Sequence, residues 1–126
     1  MSSEIVLTVG GVRLQARLND SPIADALSAR LPTDVRMSRW GDEYYGPVGL
    51  GMQNDPETMQ EVEVGTLAYW PSGDSLCIFF GPTPMSTGSA PVAASAVSVI
   101  GTVTGGDLQG LRGLGSSVQV SIRNPE

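Results

Sequence analysis

The chain has 126 residues, enough for one ordinary domain, and its 13 acidic against 7 basic side chains give a net charge of −6. All seven basic residues are arginines; histidine and lysine are absent, and Cys77 is the single cysteine. These absences exclude imidazole acid–base and triad chemistry, lysine Schiff bases, P-loop lysines, an internal disulfide, and metals caged by cysteine or histidine.

Strand signals open the chain. Ile5, Leu7 and Val9 alternate with polar or small residues, Gly10-Gly11 interrupts, and Val12, Leu14, Ala16 and Leu18 alternate again. Two such runs around Gly-Gly predict a β-hairpin, because glycine accepts the positive φ of a tight turn. Arg13, Gln15 and Arg17 then share its wet face. A short helix follows: Ser21 is placed to cap it, Pro22 suits the first helical position, and Asp25 complements the positive end of the dipole. Ile23, Leu27 and Leu31 recur every four residues with Ala26 between them, and Pro32 stops the run.

The remainder reads as strands over residues 35–40 and 44–52, turning at Gly41-Asp42. After the turn cluster Asn54-Asp55-Pro56-Glu57, Val62 and Val64 alternate with Glu61 and Glu63. Residues 67–70 and 76–80 flank Pro71-Ser72-Gly73-Asp74 as a hairpin, and residues 81–94 form a long loop. Residues 97–104 are a strand, residues 108–114 hold a helical turn, and Val118, Val120 and Ile122 close the chain. About eight strands and one helix in one domain, residues 1–126, point to a mainly β fold, a closed barrel or a sandwich.

The acidic balance argues against a nucleic-acid partner and against adhesion to anionic lipid. No apolar run approaches the roughly 18 residues of a membrane span. Met1-Ser2-Ser3-Glu4 leads directly into the first strand without a signal-like region, so a cytoplasmic location is the expectation. Nothing in the chain implies a cofactor or a metal.

Four blocks carry a family resemblance: Arg39-Trp40-Gly41-Asp42-Glu43-Tyr44-Tyr45, Val64-Gly65-Thr66-Leu67-Ala68-Tyr69-Trp70-Pro71-Ser72-Gly73, Leu76-Cys77-Ile78-Phe79-Phe80-Gly81-Pro82-Thr83-Pro84, and Ala94-Ser95-Ala96-Val97-Ser98-Val99-Ile100-Gly101-Thr102-Val103. In order and spacing they resemble the small prokaryotic cyclophilin-like proteins, uncharacterised single-domain chains, over nearly the whole length. The resemblance implies a closed eight-stranded cyclophilin-like β-barrel with one short α-helix. Against the proline isomerases of the same fold, Arg39 takes the place of their groove arginine but follows Met37 and Ser38 instead of a Phe-His pair. Their Gln-Phe-Phe run has its counterpart in Cys77-Ile78-Phe79-Phe80, without the glutamine. Met85 occupies the loop of their tryptophan, and Val97 lies near the place of their histidine.

Candidate site residues come from charge and aromatic placement. A guanidinium at Arg39 suits bidentate capture of a carboxylate or phosphate, or else pairs with Asp42 or Glu43 at the barrel mouth. All seven aromatic residues fall between positions 40 and 80. They either wall an apolar pocket or form the core of the central strands. The turn over residues 80–86 offers amides and hydroxyls to an anion, or is an ordinary turn. Cys77 reads as a small buried hydrophobe, and Glu61 and Glu63 as solvated charge. Asp42 and Glu43, adjacent on a strand, point to opposite faces and make a poor catalytic pair.

The residues expected to touch a ligand are thus Arg39, Trp40, Glu43, Tyr45, Tyr69, Phe79, Phe80, Thr83 and Met85. Three functions follow. The first is a non-catalytic module holding a small organic molecule between the aromatic cluster and Arg39. The second is a proline isomerase or proline-peptide binder, and the third a structural or regulatory subunit whose exposed strand or loop docks to another protein; the sequence does not specify a protein partner or a homo-oligomer.

Overall fold

The opening hairpin forms as its alternation predicts. A computed structural model describes residues 3–125 of the chain; Met1 and Ser2, read above as the lead into the first strand, lie outside the described residues. β1 (Ser3–Val9) pairs in register with β2 (Val12–Leu18) through a turn in which Gly10 and Gly11 take φ of 54° and 91°. Leu7, Val9, Leu14, Ala16 and Leu18 are fully buried on one face.

The helix α1 (Pro22–Ser28) is capped by Ser21, whose Oγ accepts from the Ala24 N–H at 3.2 Å. Ile23, Ala24 and Leu27 are its buried face, so Ala24 and not Ala26 fills the stripe. The helix ends one turn before Leu31, which is only packed against the core edge.

Seven further strands follow: β3 (Thr33–Arg39), β4 (Glu43–Pro47), β5 (Met59–Glu61), β6 (Thr66–Trp70), β7 (Ser75–Phe79), β8 (Val92–Gly106) and β9 (Ser117–Arg123). The neighbour order β2-β1-β9-β3-β4-β7-β6-β8, with β8 pairing back onto β2, closes an eight-stranded antiparallel barrel. β8 serves two purposes because it is 15 residues long. Its second half completes the ring, while its first half leaves the ring and pairs with the short β5.

Two expected strands change. The run over residues 44–52 stops at Pro47, because the Asp74 carboxylate accepts the Leu50 and Gly51 N–H groups at 2.9 and 3.0 Å and pulls that backbone out of any ladder. Asp74 itself sits in the left-handed region (φ 47°) after a 3₁₀ turn, Pro71–Gly73, and its Oδ1 also accepts the Tyr69 hydroxyl at 2.5 Å. The alternation at Val62 and Val64 does not mark a strand: β5 precedes it, Val62 is buried and Val64 is 47 % exposed. The loop before β8 ends at Pro91, shorter than expected, and the helical turn near residue 110 is the 3₁₀ segment Leu108–Gly113.

Two apolar clusters result. The larger fills the barrel, with Tyr44, Tyr69, Leu76, Ile78 and Phe80 facing inward. The smaller lies outside the ring, where Val62, Ala93 and Val97 cover Ala68, Cys77 and Phe79. β7 is therefore buried on both faces.

Candidate functional site

Period two on β4, β6 and β7 creates the site. With Tyr44 and Gly46 turned inward, Glu43 and Tyr45 project from the outer face. With Leu76 and Ile78 inward, Cys77 does the same, and the ladder sets Tyr45 opposite Cys77 and Cys77 opposite Ala68. Trp70, at the end of β6, stands beside them.

The first half of β8 folds over this outer face but does not seal it. A cavity of about 160 Å³ remains, walled by Trp40, Tyr45 and Trp70, floored by Glu43 and Cys77, and bounded by Ala93, Ala94 and Val97. Tyr45 and Trp70 meet edge to face, with ring centroids 6.1 Å apart. The Trp70 indole N–H donates to Ser95 Oγ at 2.7 Å and so fixes the ring against β8.

Glu43 is the polar group of this cavity. It is only 5 % exposed, and its Oε1 is a buried oxygen with no hydrogen-bond partner. Burial raises its carboxyl from the ordinary 4.5 to about 7, against a weaker opposing pull from the hydrogen-bonding Cys77 thiol. The same burial, reinforced by the neighbouring carboxyl, pushes the Cys77 thiol well above its usual 9.0. Cys77 is thus a protonated, buried thiol, and among the described residues no basic one stands on the cavity wall.

Of the nine residues expected at a ligand, Trp40, Glu43 and Tyr45 come together here, and the others lie elsewhere. The Arg39 guanidinium is 22 % exposed and committed: Nε donates to Gly41 O at 2.8 Å, Nη1 to Arg112 O and Leu114 O at 3.0 and 2.8 Å, and Nη2 to Asp42 at 3.0 Å. It also lies over the Tyr44 and Phe80 rings, 5.8 and 5.2 Å from their centroids. Its ion-pair partner is Asp42, shared with Arg112 at 3.4 Å, and not Glu43.

Tyr69 faces Asp74 on the opposite side of its strand, Phe80 stacks on Tyr44 inside the barrel, and Phe79 is packed in the outer cluster. Thr83 is buried in its own turn, where its N–H donates to Ser86 Oγ at 2.9 Å and its hydroxyl to the Val92 carbonyl. Met85 is 47 % exposed on the loop. Trp70, Cys77, Ala93, Ala94 and Val97 complete the wall without having been singled out as ligand contacts. For Trp70 and Cys77 the available signal is strand parity with Tyr45; for the β8 residues there is none before the fold is known.

Among the described residues no helix is long and apolar enough to cross a membrane. Residues 3–123 match the model of a family described as cyclophilin-like. The chain is also similar to a hypothetical protein of Archaeoglobus fulgidus whose solution structure is known. The two are 28 % identical, the match covers 98 % of this chain and 95 % of that one, and the TM-score is 0.80. No curated protein matches the chain.

Proposed function

We propose that this chain, which belongs to the cyclophilin-like family, is a binding module that holds a small organic molecule in the cavity outside its barrel. One observation carries the reading: an apolar, aromatic-walled cavity contains a buried carboxyl oxygen, Glu43 Oε1, without a partner. A buried acceptor left unpaired costs roughly 1–3 kcal/mol, and a ligand donor that reaches it recovers that cost. The cavity's size supports the same reading, since an apolar void of about 150 Å³ accommodates benzene. Convergent apolar walls around one polar anchor are the usual construction of a small-molecule site.

The proline-isomerase alternative finds less support. It asks for an arginine free to stabilise a twisted amide, and the Arg39 donors are spent on Gly41, Asp42, Arg112 and Leu114.

The test is a thermal-shift and tryptophan-fluorescence survey of soluble single-ring compounds. Binding stabilises the fold by mass action and perturbs Trp40 and Trp70, the chain's two indoles, both on the wall. The reading is lost if no ring compound changes either signal, or if the change survives Ala94→Trp, which fills the mouth of the cavity.

A further inference from the structure

We infer that the ligand of this cavity is a small organic cation carrying at least one N–H on an apolar body of about one ring. The inference rests on the small-molecule reading above and adds its chemical class.

The floor of the cavity asks for a donor. Glu43 Oε1 is buried and unpartnered, and a carboxyl oxygen in an apolar setting is satisfied best by a charge-assisted N–H. The described residues around the cavity do not supply that charge. The groups facing Glu43 are Tyr45 on its own strand, Cys77 from β7, Trp40 from the turn before β4, Trp70 from β6, and apolar residues from β8. Arg39 and Arg112, which approach this hairpin, both spend their charge on Asp42. Among the described residues no cationic side chain lines the cavity beside Glu43, so a ligand is left to bring the charge.

The walls make the same selection. Two indoles and a phenol surround the carboxyl, and aromatic rings attract cations through their negative faces. An anionic ligand meets Glu43 and the chain's net charge of −6, which also raises the local concentration of cations. A purely apolar ligand would leave Oε1 as it is, buried and unpaired. A quaternary ammonium carries charge but no N–H for that oxygen. The volume limits the body to about the size of one six-membered ring.

Piperidine and tetrahydropyran separate these terms, because they are nearly isosteric and differ at one ring position, a protonated NH₂⁺ against an ether oxygen. Isothermal titration at pH 8 on the whole chain is expected to find piperidinium bound at least about tenfold more tightly than tetrahydropyran. Glu43→Gln should cancel that preference while leaving weak tetrahydropyran binding in place, and Ala94→Trp should abolish both. Equal or tighter binding of tetrahydropyran to the unaltered chain would overturn the cation assignment and leave the small-molecule reading standing. Failure of both rings at millimolar concentration would overturn the two together.

Discussion

Asp42 and Glu43 are chain neighbours with opposite electrostatic fates. Asp42 turns toward the barrel mouth and holds Arg39 at 3.0 Å and Arg112 at 3.4 Å, whereas Glu43 turns into the outer cavity and meets no cation among the described residues. The start of β4 separates them: Asp42 lies in the turn, while Glu43 is the first residue of the strand and projects from its outer face, so an ion-paired carboxylate and a carboxyl with one unpartnered oxygen stand side by side.

The first consequence concerns stability against pH. Glu43 is raised to about 7 in the fold against 4.5 for an ordinary carboxyl, so between those values the folded chain keeps a proton that the unfolded chain has released. Stability therefore falls as pH rises from 4.5 to 7 and levels off above, by up to about 3 kcal/mol for a shift of this size. Glu43→Gln should flatten this window and be the more stable form at pH 8. Urea denaturation of both forms at pH 5 and pH 8 measures it; parallel pH dependence in the two would sink the assignment.

Arg39 carries the second prediction. Its guanidinium ties the β3–β4 turn, through the Gly41 carbonyl and the Asp42 ion pair, to two carbonyls of the segment at residues 112–114. Removing it leaves the part-buried Leu114 carbonyl unpaired and strips Asp42 of one of its two arginines, so Arg39→Ala should cost roughly 1–3 kcal/mol. Because Arg39 is not on the cavity wall, ligand affinity in the folded variant should stay unchanged. Calorimetry gives the first quantity and a titration the second; an affinity loss with unaltered stability would return Arg39 to the binding site.

How far the residues themselves reveal this arrangement depends on locality. The β1–β2 hairpin, the Ser21 cap and the ring of strands are legible because alternation and turn residues act over a few positions. Trp40, Glu43 and Tyr45 are drawn together by a different signal, the concentration of aromatic and charged side chains after position 38. Ala93, Ala94 and Val97 are not, because their role depends on β8 leaving the ring and folding over β4, β6 and β7, a contact between distant parts of the chain. Burial on both faces removes the alternation of β7, which hides Cys77 as a wall residue. Phe79 and Phe80 illustrate the ambiguity: both are fully buried, one outside the ring and one inside it.

The thiol of Cys77 offers a third prediction. Burial and the adjacent Glu43 carboxyl both hold it protonated, so disulfide-exchange reagents should label it slowly at pH 8 in the folded chain. Glu43→Gln removes the like charge and should speed labelling, while an occupied cavity should slow it, since Cys77 lies on the floor. Rates that match a free thiol, indifferent to Glu43→Gln, would contradict this arrangement.

The last prediction joins Glu43 to ligand choice. A cation pairs with the ionised carboxylate, whose population falls about tenfold for each pH unit below about 7. Piperidinium should therefore bind at least about tenfold more weakly at pH 5 than at pH 8, and binding near pH 7 should release protons to the buffer. Tyr45 and Cys77 are the other titratable groups on the wall, and Cys77 stays protonated throughout this range. The dependence should thus follow a single group and vanish in Glu43→Gln. Tetrahydropyran, which bears no charge, should show no such trend. Titrations of both rings in buffers of different ionisation enthalpy read the proton count directly, and a pH-independent piperidinium affinity would separate the cavity from the carboxyl at its floor.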